Sequence, residues 1–432
     1  MKLRPFELAL IAIFGVLFFV ALILLRTYTP DPKAEDIVGN VSIWGVLPAA
    51  TFAEVIKELE ITDKSFERVS YRYVNPDNFD EAFVTALADG TAPDLLLIGH
   101  DRIIEQRKRL QTISYETLPI RDFRNSYIDG AEIFALSDGI YALPVAVDPL
   151  VMYWNRDIFA TKNLLTAPKT WEELVAEVIP TLTVRDAGRN ITRPAIALGE
   201  YSNIRNSFPI LSLLLLQGGS ALITESQNLY KVRLNESVDQ VNSNPFTKAI
   251  TFYTNFNNTA NTLYSWNRSF KEDREMFLSE ELAIYFGFAS EGKEIESKNP
   301  NLSFDIAYVP QGAAATVSRT FGAYYGLTIP KAAKNKLGAL TILQKLSNQQ
   351  VTEKIATGYG MAPVFRSSLV SGSNDVYGRI AYGSALNSRG WLNPDLDQFG
   401  NIFKELLESV SANRSNLSTA TADAITKIEQ IY

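Results

Sequence analysis

The side chains that carry most enzymatic chemistry are nearly absent from this chain. Its 432 residues include no cysteine and one histidine, His100. Without thiols there is no disulfide scaffold, zinc ribbon, iron–sulfur cluster or cysteine nucleophile, and one imidazole argues against His-based metal sites and Ser-His-Asp triads. His100 precedes Asp101, a pairing that suggests a proton relay. With no second histidine it reads as a solvated or capping residue. Carboxylates remain, and glycoside hydrolysis needs two of them roughly 5 to 9.5 Å apart. Glu172-Glu173, Glu200 and Glu280-Glu281 are the candidates, but neighbours on a helix do not face one another and the first pair is explained by capping. No G-x-x-x-x-G-K-[ST] loop occurs, so nucleotide hydrolysis belongs to another chain. No catalytic residue, metal or cofactor is expected, and the chain reads as a non-enzyme.

Charge narrows the partners. Forty-eight acidic against 41 basic residues give a net charge of −7, which leaves no basic surplus to neutralise phosphates. Nucleic acid is excluded on that ground, and Arg107-Lys108-Arg109 is a small solvated patch. The length predicts two or three lobes with full cores. From Leu8 to Leu25 runs an uncharged apolar stretch of eighteen residues, about 27 Å as a helix and close to the hydrocarbon thickness of a bilayer. Lys2 and Arg4 precede it, which predicts a single-pass anchor at the cell membrane with a cytoplasmic N-terminus and residues 27–432 outside the cytoplasm. No A-x-A cleavage pattern follows it. Residues 1–26 are therefore expected to be an anchor and 27–36 a tether, with the folded part beginning near Ile37.

The elements that must position any site follow from periodicity. Val41 to Gly45 and Val69 to Tyr73 alternate like strands, Phe52, Val55, Ile56 and Leu59 recur at helical spacing, and Asp77 to Ala88 reads as a helix closed by Gly90. Leu95 to Ile98 is a fully apolar strand. Strand, helix, strand, helix, strand is the order of a parallel α/β sheet. Thr170 with Glu173 forms a capping box that opens a helix, and Ser207 to Gln217 is a core helix stopped by Gly218-Gly219. Further helices are expected over Asn244 to Asn255, Phe270 to Ser279 and Ser290 to Ser297, with strands over Ala283 to Phe286 and Phe304 to Val309.

In this order, Val41-Ser-Ile-Trp44-Gly45, Ala92-Pro-Asp94, Asp138-Gly-Ile-Tyr141-Ala-Leu-Pro144, Met152-Tyr-Trp-Asn155-Arg-Asp-Ile-Phe159 and Pro168-Lys-Thr-Trp171-Glu-Glu-Leu174 resemble the extracellular solute-binding proteins of ABC importers, in their sugar-binding, maltodextrin-type branch. Gln217-Gly-Gly219, Phe277 to Ile284, Tyr308-Val-Pro310, Gly322 to Gly326 and Gly358 to Pro363 continue the resemblance over about residues 40 to 430. Glu280-Glu281 stands where the family carries a Gly-Lys turn, Trp154-Asn155 where it carries Tyr-Asn, and the lipidated cysteine is missing; the Leu8–Leu25 helix is expected to replace it.

The resemblance implies a two-lobe α/β fold of the periplasmic-binding-protein type (type II), with three interlobe crossovers near Tyr141–Val145, Tyr308–Gln311 and Gly358–Pro363, preceded by the transmembrane helix. Residues 37–142 and 309–358 would form lobe 1, and 143–308 and 359–432 lobe 2. It implies a monomer that binds a small molecule, a sugar or oligosaccharide, and partners with ABC permease subunits. A sugar ring offers an apolar C–H face to an aromatic ring and a hydroxyl rim to donors and acceptors. Trp44, Asp148, Tyr153, Phe288, Tyr325 and Trp391 are carried over by motif position as ligand-binding residues, and Trp266 and Tyr359 complete the set, with Phe286 and Tyr324 beside them. Each aromatic has a plain alternative as core, Asp94 as a turn residue and Trp171 as packing beside its capping box. Two other functions remain open at this stage: a two-lobe ligand sensor or scaffold without transport, and a membrane-anchored glycosidase.

Overall fold

The computed structural model describes residues 38–227, 229–236 and 244–432. Strands β1 (Val41–Gly45), β2 (Val69–Tyr73) and β3 (Leu95–Gly99) pair in parallel in the order β3-β1-β2. The helices that cross between them, Ala49–Thr62 and Phe79–Ala88, bury Phe52, Val55 and Ile56 on one and Phe79, Phe83 and Ala86 on the other. The two helices cover opposite faces. Leu95 and Leu97 of β3 join the cluster around Phe52 and Val55, whereas Leu96 and Ile98 join that around Phe79 and Phe83. A strand covered on both sides has no polar face, which is why Leu95 to Ile98 is uninterruptedly apolar.

The next strand, β4 (Leu143–Asn155), is thirteen residues long and buried along nearly all of it. β5 (Ile284–Phe288) and β6 (Phe304–Ala307) pair antiparallel with its second half. β7 (Thr320–Thr328) pairs antiparallel with its first half and also, through Tyr325 to Thr328, with β3. Short strands β8 (Ala362–Pro363) and β9 (Ser388–Arg389) complete the sheet against β4 and β7. β7 thus links β4 to β3 in a two-lobe α/β architecture, and the register shift against β4 between Tyr325 and Gly326 falls where the pairing with β3 begins. Gln311 bonds to the segment before the Trp171 helix, donating to Lys169 O at 3.0 Å and accepting from Trp171 N at 2.9 Å.

Local signals explain several elements. Thr170 Oγ1 accepts the Glu173 N–H at 3.1 Å, while the Glu173 carboxylate takes the Lys169 N–H at 2.8 Å, a capping box whose return bond lands one residue early. The helix Ser207–Gln217 is apolar along most of its length because its middle, Ile210 to Leu215, is buried on every side; it ends at Gly218 and at Gly219 with φ 78°. Glu280 occupies the left-handed region at φ 62°, the conformation that a glycine adopts without steric cost.

The expected transmembrane helix is not confirmed. No helix among the described residues is long and apolar enough to cross a membrane, and the most apolar of them, Ser207–Gln217, has eleven residues and lies in the core. The run Leu8 to Leu25 on which that expectation rested, like the tether after it, lies outside the described residues.

Candidate functional site

The carboxyl end of β3 opens a cleft. Gly99 is followed by a tight helical turn, His100–Arg102, and a Cβ at Gly99 would meet Asp101 Oδ1 at 2.1 Å, so the glycine lets the Asp101 side chain fold back over the strand end. Ends of strands in open α/β sheets are where ligands gather. The Arg102 guanidinium is held by Asp80 and by the Pro76 carbonyl at 2.6 Å, over the Phe79 ring, and Gln106 Nε2 bonds the other Asp80 oxygen at 2.6 Å. It is a cation fixed in place before any ligand arrives. Burial pushes the Asp101 carboxyl up to about 6.

His100 corrects the solvated reading: it is 4% exposed, and burial pushes its imidazole down to about 4. Nδ1 accepts the Tyr324 N–H at 3.1 Å, and the Trp391 N–H faces Nε2 at 3.3 Å. A neutral ring accepts at one nitrogen only, and the shorter contact makes Nδ1 the acceptor. The ring therefore sits at the meeting point of β3, β7 and the segment after β9.

The opposite wall comes from later parts of the chain. Phe208 and Pro209 stand at the start of the Ser207–Gln217 helix, Phe288 at the end of β5, and Trp391, Asn393 and Leu396 on the approach to the helix Leu396–Ser411. With Phe321 and Tyr325 of β7 and with Asp101 and Arg102, they enclose about 320 Å³. The aromatic rings form a chain, Phe288 to Phe321 at 6.3 Å, Phe321 to Phe208 at 6.3 Å and Phe208 to Trp391 at 5.4 Å. Trp391 is locked by its indole N–H, which donates to Tyr432 OH at 3.1 Å. Asn393 is fully buried; its Oδ1 accepts the Asp395 N–H at 2.9 Å and its Nδ2 has no partner among the described residues. Chemically the cleft offers aromatic faces, one carboxyl and one fixed guanidinium, a combination suited to holding a polar ring by its faces and its edges.

The structure brings together Phe288, Tyr325 and Trp391 of the eight candidates. Asp148, on β4 opposite Ala323, lies behind this wall and accepts the Ser290 N–H at 3.0 Å; burial raises its carboxyl to about 7. Tyr153 is fully buried and donates to the Phe288 carbonyl at 2.7 Å, from beneath the cleft aromatic. Trp266 is buried elsewhere, its indole N–H on Asn203 Oδ1 at 3.1 Å. Trp44 is half-buried under the Arg72 guanidinium, 4.6 Å from its ring, and Tyr359 donates to Pro48 O at 2.6 Å; neither lines the cleft. Sequence reasoning weighed Asp101 only as a partner of His100 and did not single out Arg102 or Phe208; the signal for Asp101 and Arg102 is their place in the turn that follows a fully apolar strand.

Asp101 is the only carboxylate among the described residues lining the cleft. The pairs weighed for glycoside hydrolysis lie outside it: Glu172 accepts the Ala313 N–H, Glu173 caps its helix, Glu200 bonds Asn257, and Glu280 sits in its turn. Among the described residues no group of three His, Asp or Glu could hold a metal ion.

Comparison with known proteins agrees with this architecture. The family model described as bacterial extracellular solute-binding protein matches residues 47–352. A chain of Brucella abortus (strain 2308) that bears the general name binding protein is 22% identical over 339 residues, covering 77% of this chain and 76% of that one. Among solved structures, a cyclo/maltodextrin-binding protein complexed with maltotetraose superposes with a TM-score of 0.70 at 16% identity, covering 93% of this chain and 98% of that chain. The sugar-binding protein MalE of Xanthomonas citri does so with a TM-score of 0.69 at 19% identity, covering 91% and 97%. At these identities the superpositions establish the fold. The extracellular placement in the family description replaces the single-pass membrane localisation expected from the sequence.

Proposed function

The chain belongs to the bacterial extracellular solute-binding protein family, and from that premise we propose that it captures a carbohydrate between its two lobes and delivers it to the permease of an ABC importer. The observation that carries the carbohydrate reading is the cleft itself: Phe208, Phe288, Phe321, Tyr325 and Trp391 supply ring faces beside Asp101 and the clamped Arg102. The names of two structurally similar proteins, one holding maltotetraose and one called sugar-binding, support the same class of ligand.

The working parts follow from that reading. Phe288, Tyr325, Trp391 and Phe208 stack on the sugar, Asp101 and Arg102 pair with its hydroxyls, and Asp148 and Tyr153 hold the segment around Phe288 from behind. Lobe 1 comprises about 37–142 and 309–358, and lobe 2 about 143–308 and 359–432; pairing of β7 with both β3 and β4 supports a passage of the chain between lobes in this part of the sequence. The protein acts by capture and release, without chemistry on the solute.

Thermal-shift screening of the purified protein against sugars, oligosaccharides, amino acids and short peptides tests this, with the recovered ligand checked for change. A carbohydrate is expected to raise the melting temperature and to be recovered intact in stoichiometric amount. Stabilisation by amino acids or peptides alone, or turnover of the sugar, would overturn it.

A further inference from the structure

A second cavity, of about 830 Å³, shares Trp391 with the aromatic cleft. Leu216, Leu222 and Ile223 give it an apolar wall, and Arg319 and Arg389 a basic one. The backbone of Arg319 is clamped: its N–H donates to Gln311 Oε1 at 2.9 Å, and its carbonyl accepts from Gln311 Nε2 and Gln217 Nε2, both at 3.1 Å. Its guanidinium is not. Nη1 donates to the adjacent Ser318 carbonyl at 3.1 Å, and no carboxylate pairs with it among the described residues. Arg389 donates to Ser388 O at 2.7 Å and to Asp129 Oδ2 at 2.8 Å, and Asp129 is also shared with Arg366. Glu225, the carboxylate in the lining, accepts the N–H and hydroxyl of Ser137 at 3.1 and 2.5 Å. Burial first, and the charge of Arg389 after it, hold the Arg319 guanidinium below its ordinary range against the opposing pull of Asp129. Two cations against the single lining carboxylate make this wall basic in a chain of net charge −7.

We propose that this cavity is a carboxylate-recognising subsite, in which Arg319 and Arg389 take the carboxylate of a uronate unit in an oligosaccharide whose other rings lie in the aromatic cleft. This rests on the carbohydrate reading above and sharpens it to an acidic class. A planar guanidinium matches a carboxylate with two parallel hydrogen bonds, and a uronate keeps the ring face that an aromatic wall needs.

Isothermal titration of the intact protein with tetragalacturonate, maltotetraose and monomeric D-galacturonate, at low and high salt, tests it. Tetragalacturonate is expected to bind at least about tenfold tighter than maltotetraose, the worth of one or two charge-assisted hydrogen bonds, with an advantage that shrinks as salt rises. Arg319→Gln should remove about tenfold from tetragalacturonate affinity and far less from that of maltotetraose, and Arg319→Lys should restore part of the difference. Maltotetraose binding as tightly as the acidic tetramer, or Arg319→Gln weakening both alike, would overturn the subsite while leaving the carbohydrate function standing. Monomeric galacturonate binding as tightly as the tetramer would overturn the oligosaccharide assignment. Failure of every sugar, with another solute class bound, would overturn the carbohydrate reading and the subsite with it.

Discussion

Phe208 and Phe288 are the residues on which the cleft is most cleanly testable, because both are half-buried at the margin of the core. Truncating either to alanine is expected to weaken carbohydrate binding about tenfold by titration, the worth of a stacking contact with part of its buried area; unchanged affinity would remove that ring from the site. Trp391 is a poorer probe, since at 2% exposure its truncation would cost about 3–5 kcal/mol of stability. Two buried groups set opposite pH responses. Burial raises the Asp148 carboxyl from 3.8 to about 7, so its folded-state advantage is present at low pH and is lost as pH rises through about 7. Burial lowers the His100 imidazole from 6.5 to about 4, so its contribution is present above 6.5 and is lost as pH falls toward 4. Urea titrations between these limits should show Asp148→Asn gaining stability relative to the parent as pH rises and His100→Gln gaining as it falls; parallel curves would contradict both assignments. Nothing in the local sequence distinguishes a buried His100 from a solvated one, because its burial is made by β7 and the Trp391 segment, more than two hundred residues away.

At the scale of elements, most of the architecture is written in local patterns. Leu95 to Ile98, the alternation of Val69 to Tyr73, the Thr170 cap and the Gly218-Gly219 stop are each decided by a few adjacent residues and fall where periodicity places them. The path of β7 is less legible. Tyr308 to Gln311 carries the proline that suggests a boundary, yet the chain reaches β3 only along Thr320 to Thr328, a pairing set by partners far off in sequence. Glu280 shows a different lesson. Its φ of 62° is the physical content of the glycine that relatives were expected to carry at that turn. Glu280→Gly is therefore expected to raise stability by about 0.5–1 kcal/mol in chemical denaturation, the relief of left-handed strain outweighing the entropy of glycine; a loss of stability would mean that the glutamate side chain contributes more than its backbone costs.

At the scale of the whole molecule, two lobes share one sheet, and β4 and β7 are the strands on which they would move. Contacts far apart in sequence also tie the molecule together: Arg107 Nη1 donates to Tyr230 OH at 3.1 Å, and Ser137 bonds Glu225. Ligand held between such walls excludes water from its hydroxyl network and couples binding to the lobe arrangement. The aromatic chain from Phe288 to Trp391 assembles from four separate stretches of sequence, which is why the fold is more legible than the site. A crystal structure of the protein with whichever carbohydrate stabilises it most tests the central claim directly. The account predicts a sugar ring between the Gly99–Arg102 turn and the Phe208, Phe288 and Trp391 rings, with Asp101 and Arg102 on its hydroxyls. A sugar seated outside the interlobe cleft, with those residues untouched, would contradict it.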